Sequence, residues 1–73
     1  MLSDIKLKIR HAKRGNEKTI DLSNLGMTEL PPDITQLTML ETLIVSNNKL
    51  QHLRRVEQLP NLMTIVAQNN QIN

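Results

Sequence analysis

Leu40-Glu-Thr-Leu43-Ile-Val45-Ser-Asn-Asn48-Lys-Leu50 and Leu62-Met-Thr-Ile65-Val-Ala67-Gln-Asn-Asn70-Gln-Ile72 share one spacing, L-x-x-L-x-L-x-x-N-x-L. A third copy lies upstream, where Ile20, Leu22, Leu25, Met27 and Leu30 stand in the places of Leu43, Val45, Asn48, Leu50 and Leu53. The copies recur after 23 and then 22 residues. Self-similarity at a fixed period of this length predicts a stack of like units, each too small to bury its apolar side alone. Such stacks bind many kinds of partner and perform no single chemistry, so the pattern speaks to architecture more directly than to function.

Within each unit the apolar residues alternate with polar ones, which predicts a short strand with one face inward. Three parallel strands are expected, at Thr19 to Ser23, Thr42 to Ser46 and Thr64 to Gln68. Ile20, Leu22, Leu43, Val45, Ile65 and Ala67 then point into the core. Asp21, Ser23, Thr42, Ile44, Ser46, Thr64, Val66 and Gln68, together with Thr19, line the outer, concave face of the sheet. Asn48 and Asn70 follow their strands at the turn, where a primary amide both donates to and accepts from backbone groups of neighbouring units. Leaving those groups buried and unpaired would cost more than the roughly 1 kcal/mol net of each bond. The first unit has Leu25 at this position.

The connections differ between units. Glu29-Leu-Pro31-Pro32-Asp33-Ile34-Thr-Gln36-Leu37 is expected to begin extended, its prolines excluding helix, and then to form one helical turn. His52-Leu53-Arg54-Arg55-Val56-Glu57-Gln58-Leu59-Pro60 belongs to a repeat one residue shorter and lacks the double proline, which predicts a change of curvature. Upstream, Ile5, Ile9 and Ala12 recur at helical spacing, with Ser3 as the expected N-cap and Gly15-Asn16 as the stop, Gly15 taking the left-handed conformation. This amphipathic helix would cover the open apolar flank of the first unit. The chain stops at Asn73, before a third connection, so the last unit's flank and strand edge are expected to be open to another chain or to further units.

The segment Thr19 to Leu53 resembles cytoplasmic leucine-rich-repeat proteins, and Ile20-Asp-Leu-Ser-Asn-Leu-Gly-Met-Thr-Glu-Leu-Pro-Pro-Asp-Ile34 is similar to repeats of Roco-type GTPases and Ras-suppressor-like proteins. The second repeat, with its Val56 to Leu62 ending, is similar to the 22-residue repeats of the nuclear regulator of protein phosphatase 1 and of axonemal dynein light chains. The resemblance implies an α/β leucine-rich-repeat solenoid with a three-stranded parallel sheet on the concave face and an N-terminal capping helix over residues 1–16. Repeats follow over 17–39 and 40–61, with an incomplete one over 62–73. It further implies a scaffold that binds protein through the concave face or its edges. No catalytic domain of those families, including the Roco nucleotide-binding region, has a counterpart here.

Composition sets the remaining bounds. With 73 residues, no cysteine and no aromatic residue, the core must come from aliphatic side chains and methionine. The missing cysteines agree with a reducing compartment, the cytosol first and the nucleus as alternative. No signal peptide or spanning segment is visible, no apolar run being longer than that of Leu43-Ile44-Val45. There is no phosphate-binding G-x-x-x-x-G-K-S/T loop. His11 and His52 lie on different elements with no ligand or catalytic spacing, and are read as solvated surface histidines. Ser3, Ser23 and Ser46 have no base near in sequence. Hence no catalytic residue, metal or cofactor is expected.

Two partner-binding features stand out. Ile44 and Val66 are β-branched residues expected side by side and outward, ringed by Thr42, Thr64, Ser46, Gln68, Asn47 and Asn69, and so suited to a partner's anchor. On this reading Ile44→Asp weakens binding and leaves the fold nearly intact. The second feature is charge: residues 1 to 18 carry a net +4 and the remainder −2, within a total of +2. Lys6, Lys8, Arg10, Lys13 and Arg14 are read as a solvated helix face, since no aromatic residue accompanies them for stacking or interfacial anchoring, which disfavours nucleic acid and membrane. Arg54 and Arg55 are read as loop surface. A protein partner is therefore expected, with self-association through the C-terminal edge as the alternative.

Overall fold

The apolar stripe of the N-terminal segment decides the first element. Ile5, Ile9 and Ala12 are buried, while Lys6, Leu7, Lys8 and Arg10 between them are exposed. The computed structural model describes residues 2–72, with side chains from Asp4 onward, and places helix α1 at Leu2–Arg14. Asp4 lies in its first turn and His11, Lys13 and Arg14 in its last, charges that suit the helix dipole. Ser3 falls inside the first turn, not at the N-cap, and its side chain lies outside the described residues, as does Asn73.

The helix stop differs from expectation. Asn16, not Gly15, takes the left-handed conformation, at φ 48°. The Glu17 N–H donates to the Ala12 carbonyl at 3.0 Å and the Asn16 N–H to Lys13 at 3.2 Å, the paired bonds of a Schellman cap with asparagine in the usual glycine place. Gly15 itself keeps a negative-φ backbone, and a Cβ there would approach the exposed Glu17 side chain at 3.2 Å.

Strands β1 (Thr19–Asp21), β2 (Thr42–Ile44) and β3 (Thr64–Val66) form one parallel sheet in the order β1-β2-β3. The register is Thr19↔Thr42↔Thr64, Ile20↔Leu43↔Ile65 and Asp21↔Ile44↔Val66. Regular pairing spans three residues per strand and not the expected five, although single backbone bonds continue it, from Leu22 to Ile44 at 2.7 Å and from Asn24 to Ser46 at 3.1 Å. After each strand an asparagine turns the chain in the left-handed conformation: Asn24, Asn47 and Asn69 have φ 61°, 59° and 59°.

The connections are short 3₁₀ helices at Pro32–Gln36 and Val56–Gln58. Pro31 is extended as expected, but Pro32 opens the helix, because the first helical position needs no N–H and proline already holds a helical φ. Arg55 is half-buried and not plain loop surface. It adopts φ 82°, its N–H meets the Glu57 carboxylate at 3.1 Å, and its Nε donates to the Leu30 carbonyl of the preceding unit at 3.2 Å. Arg54 is exposed.

The core runs between sheet and connections, through Leu22, Leu30, Ile34, Leu40, Leu43, Val45 and Leu50, with Ile5 and Ile9 of α1 closing one side. Burial falls off across the third unit: Ile65 shares the inward parity of its register partner Leu43 and Ala67 packs against the core, as expected, yet Ile65 is 38% exposed and Ala67 only half-buried. Nothing among the described residues packs on their far side, so the same pattern position that is sealed at Leu43 stays open at Ile65. The whole is a small, compact α/β structure of one helix and a three-stranded parallel sheet, with a radius of gyration of 11.1 Å. It is consistent with a fragment of leucine-rich-repeat type.

Candidate functional site

The parity of a strand puts alternate residues on one face, and the register stacks them across strands about 4.8 Å apart. The face opposite the core therefore carries two complete rows, Thr19-Thr42-Thr64 and Asp21-Ile44-Val66. A third row, Ser23-Ser46-Gln68, follows from the backbone bonds of Asn24 to Ser46 and Asn47 to Gln68. Within this face Thr19, Asp21, Thr64 and Gln68 are exposed, whereas Ser23, Thr42, Ile44, Ser46 and Val66 are half-buried. The apolar pair is thus half-buried, neither sealed nor fully open to water.

Asparagines fix the height of this face. Asn48 is buried, and its Oδ1 accepts from the backbone N–H groups of Leu25 and Met27, each at 3.0 Å. Its Nδ2 donates to the carbonyls of Leu22 and Val45, each at 2.9 Å, with a longer approach to Ser46 at 3.3 Å. The left-handed Gly26, φ 66°, turns the chain between the two N–H groups that meet on one oxygen. Asn70 is half-buried and makes a smaller set: Oδ1 accepts from Leu50 at 3.0 Å, and Nδ2 donates to Val45 at 2.9 Å and Ala67 at 3.1 Å. Each of these amides links its own turn to the unit before it.

Two elements of the surface were missed by sequence reasoning. Asn69 donates to the Asn47 side chain at 2.8 Å, tying the left-handed turns along one border of the face. The recurrence of Asn24, Asn47 and Asn69 in phase was the available signal. At the other border Leu7 is 57% exposed and, with Lys8 and His11, shares a depression of about 320 Å³ with Thr19 and Asp21. An apolar residue off the buried helix stripe was the clue there.

Electrostatics single out Asp21. Its carboxylate accepts from the Ser23 backbone N–H at 2.9 Å. That bond first, then the Ser23 hydroxyl and, last, the nearby charge of Lys8 hold its pKa below the ordinary carboxylate range against the opposing effect of burial. Because folding lowers this pKa, the bond contributes stability above the unfolded value of about 3.9 and loses it as pH falls through the lower folded value. In an NMR titration, Ser23→Ala should retain the larger part of the depression, since the main donor is backbone. Full return to the ordinary value in that variant would contradict the assignment.

The histidines divide. His11 is exposed and stands 3.5 Å from Glu17. His52, expected on the solvated surface, is half-buried, with Nδ1 enclosed and without a hydrogen-bond partner. No group of three His, Cys, Asp or Glu side chains suited to a metal ion occurs among the described residues. No helix among them is long and apolar enough to cross a membrane.

No protein-family model matches the chain. No solved structure matches it either. Over 46 residues, 63% of this chain, it is 44% identical to Protein flightless-1 homolog of Caenorhabditis elegans, a protein with leucine-rich repeats. The match spans 4% of the length of that curated relative. This similarity is compatible with a leucine-rich-repeat protein and suggests a protein-interaction module.

Proposed function

We propose that the chain is a leucine-rich-repeat module, with α1 capping the repeats of residues 17–39, 40–61 and 62–73, that binds a protein partner through the outward face of its sheet without turnover. The observation that supports this most is the Asp21-Ile44-Val66 row, a half-buried apolar pair beside a charge held in place, between rows of threonine and of small polar residues. A partner's apolar anchor set on Ile44 and Val66 would lose its water there, while Thr42, Thr64, Ser46 and Gln68 provide the polar rim. Ser23 serves by orienting Asp21. The cytosol or nucleus is the compartment this reading favours.

The register changes the choice of test. Ile44→Asp would set a second carboxylate directly across from Asp21, a like-charge pair that itself weakens the sheet. Ile44→Lys avoids this, because its ammonium faces the Asp21 carboxylate. Peptides enriched from a random displayed library on the wild-type protein are expected to bind Ile44→Lys at least about tenfold more weakly, with the circular dichroism spectrum retained. Undiminished binding to that variant, with its fold intact, would move the site elsewhere.

A second reading draws on a different observation. Met63 is 75% exposed, and Ile65 and Ile72 are exposed beside it, so the β3 side offers apolar surface to another copy or to a partner strand. Light scattering across a concentration series tests the self-association form of this reading: dimers that dissociate on Ile65→Lys would favour the edge, and a monomer at all concentrations would dismiss pairing between copies.

A further inference from the structure

Away from the sheet face, the opposite flank of α1 forms one wall of an open cleft of about 600 Å³, whose other wall is the first 3₁₀ helix. Lys6, Arg10, Lys13 and Arg14 line it from α1, and Asp33 and Gln36 from across the gap. Among the described residues no carboxylate lies within ion-pair distance of these four cations; Lys13 instead donates to the Gln36 side chain at 3.2 Å, bridging the walls. Four cations thus face one carboxylate in a concave site. The opposite border of the helix, with Lys8, belongs to the sheet face and to Asp21.

We propose that this cleft binds an extended acidic segment of a partner protein, with carboxylates at alternate positions. Spacing and charge carry the inference. Lys6, Arg10 and Arg14 follow one another at intervals of four residues, about 6 Å along a helix axis. Side chains at i and i+2 of an extended strand recur every 6.6 Å or so. A D/E-x-D/E-x-D/E segment lying along α1 therefore brings a carboxylate to each cation in turn, with Arg10 and Arg14 able to form two-pronged bonds. Asp33 and Gln36 on the facing wall supply acceptors for the segment's backbone N–H groups. Asp33 repels any anion, but a polyphosphate chain has no N–H to offer it in return, and no aromatic side chain exists here for base stacking. A flat bilayer does not reach into a concave site. These 73 residues contain no acidic pair at i, i+2, so a second copy of them does not supply the ligand.

The test is fluorescence anisotropy at low salt with a labelled alternating Glu-Ser octapeptide, its Gln-Ser counterpart, and a single-stranded oligothymidylate of matched charge. Binding of the Glu-Ser peptide alone is expected, weakening as salt screens the pairs. The double variant Lys6→Glu with Arg10→Glu should lose at least about tenfold in affinity, and Arg54→Glu, exposed on the second connection, should stay within about twofold. Both substituted sites are exposed, and circular dichroism monitors the fold. Should the reversals disturb the helix, Arg10→Gln and Arg14→Gln carry the same expectation at about threefold each. Equal binding of the Gln-Ser peptide, tighter binding of the oligonucleotide, wild-type affinity in the cleft variants, or a loss in Arg54→Glu as large as theirs would each overturn the proposal.

Discussion

Asn48→Ala is expected to destabilise the fold by about 2–3 kcal/mol, lowering the melting temperature by roughly 10–20 °C for a domain of this size. The side chain is 7% exposed, and its removal strands the N–H groups of Leu25 and Met27 and the carbonyl of Leu22. All three belong to the first unit, whereas Asn48 belongs to the second. Truncation therefore severs a link between units and leaves backbone groups that water reaches poorly, and the penalty for unmet buried groups exceeds the net value of the bonds themselves. Asn70→Ala provides the internal comparison. It is half-buried and accepts one N–H, that of Leu50, where Asn48 accepts two, so about 1 kcal/mol is expected. Chemical denaturation of both variants checks the ranking. Equal midpoints would mean that the amide bonds are not what holds successive turns in phase.

The difference between these asparagines marks where sequence reading succeeds and where it stops. Both occupy the same pattern position, and the pattern alone places both at the turn. It does not report how many backbone groups the preceding unit presents: that depends on Gly26, whose left-handed φ brings two N–H groups onto one oxygen, while Lys49 stands at the corresponding place in the next unit. Turn chemistry was the weaker part of the reading throughout. Asn16 took the conformation expected of Gly15, and Asn24, Asn47 and Asn69 took it after each strand, because asparagine visits this region more readily than other residues with a Cβ. Strand parity was legible, and with it the rows of the candidate face, since alternation and phase follow from spacing alone. The depth of each row was not, because burial depends on what packs beyond it. The same holds for the second connection, where polarity predicts His52 and Arg55 at the surface and both lie half-buried.

Leu43→Ala against Ile65→Ala measures that dependence directly. The two residues are register partners in adjacent strands, yet Leu43 is 0% exposed and Ile65 38%. Leu43 has Ile20 beside it in β1 and Ile65 in β3, and its side chain is sealed within the aliphatic core. Cutting it to alanine removes the transfer free energy of the lost carbons and leaves a cavity that a strand bonded on both sides cannot close, so about 3–4 kcal/mol is expected. In a 73-residue chain without disulfides that is a large share of the total stability, and Leu43→Ala should be mostly unfolded at moderate temperature. Ile65 already contacts water and its strand is bonded on one side only, so truncation leaves no closed cavity and should cost about 1 kcal/mol. If the chain self-associates through β3, the contrast collapses at high concentration, because a partner copy would cover Ile65. A gap between the variants that persists from dilute to concentrated solution therefore supports the monomeric sheet-face reading, and one that narrows with concentration supports the edge.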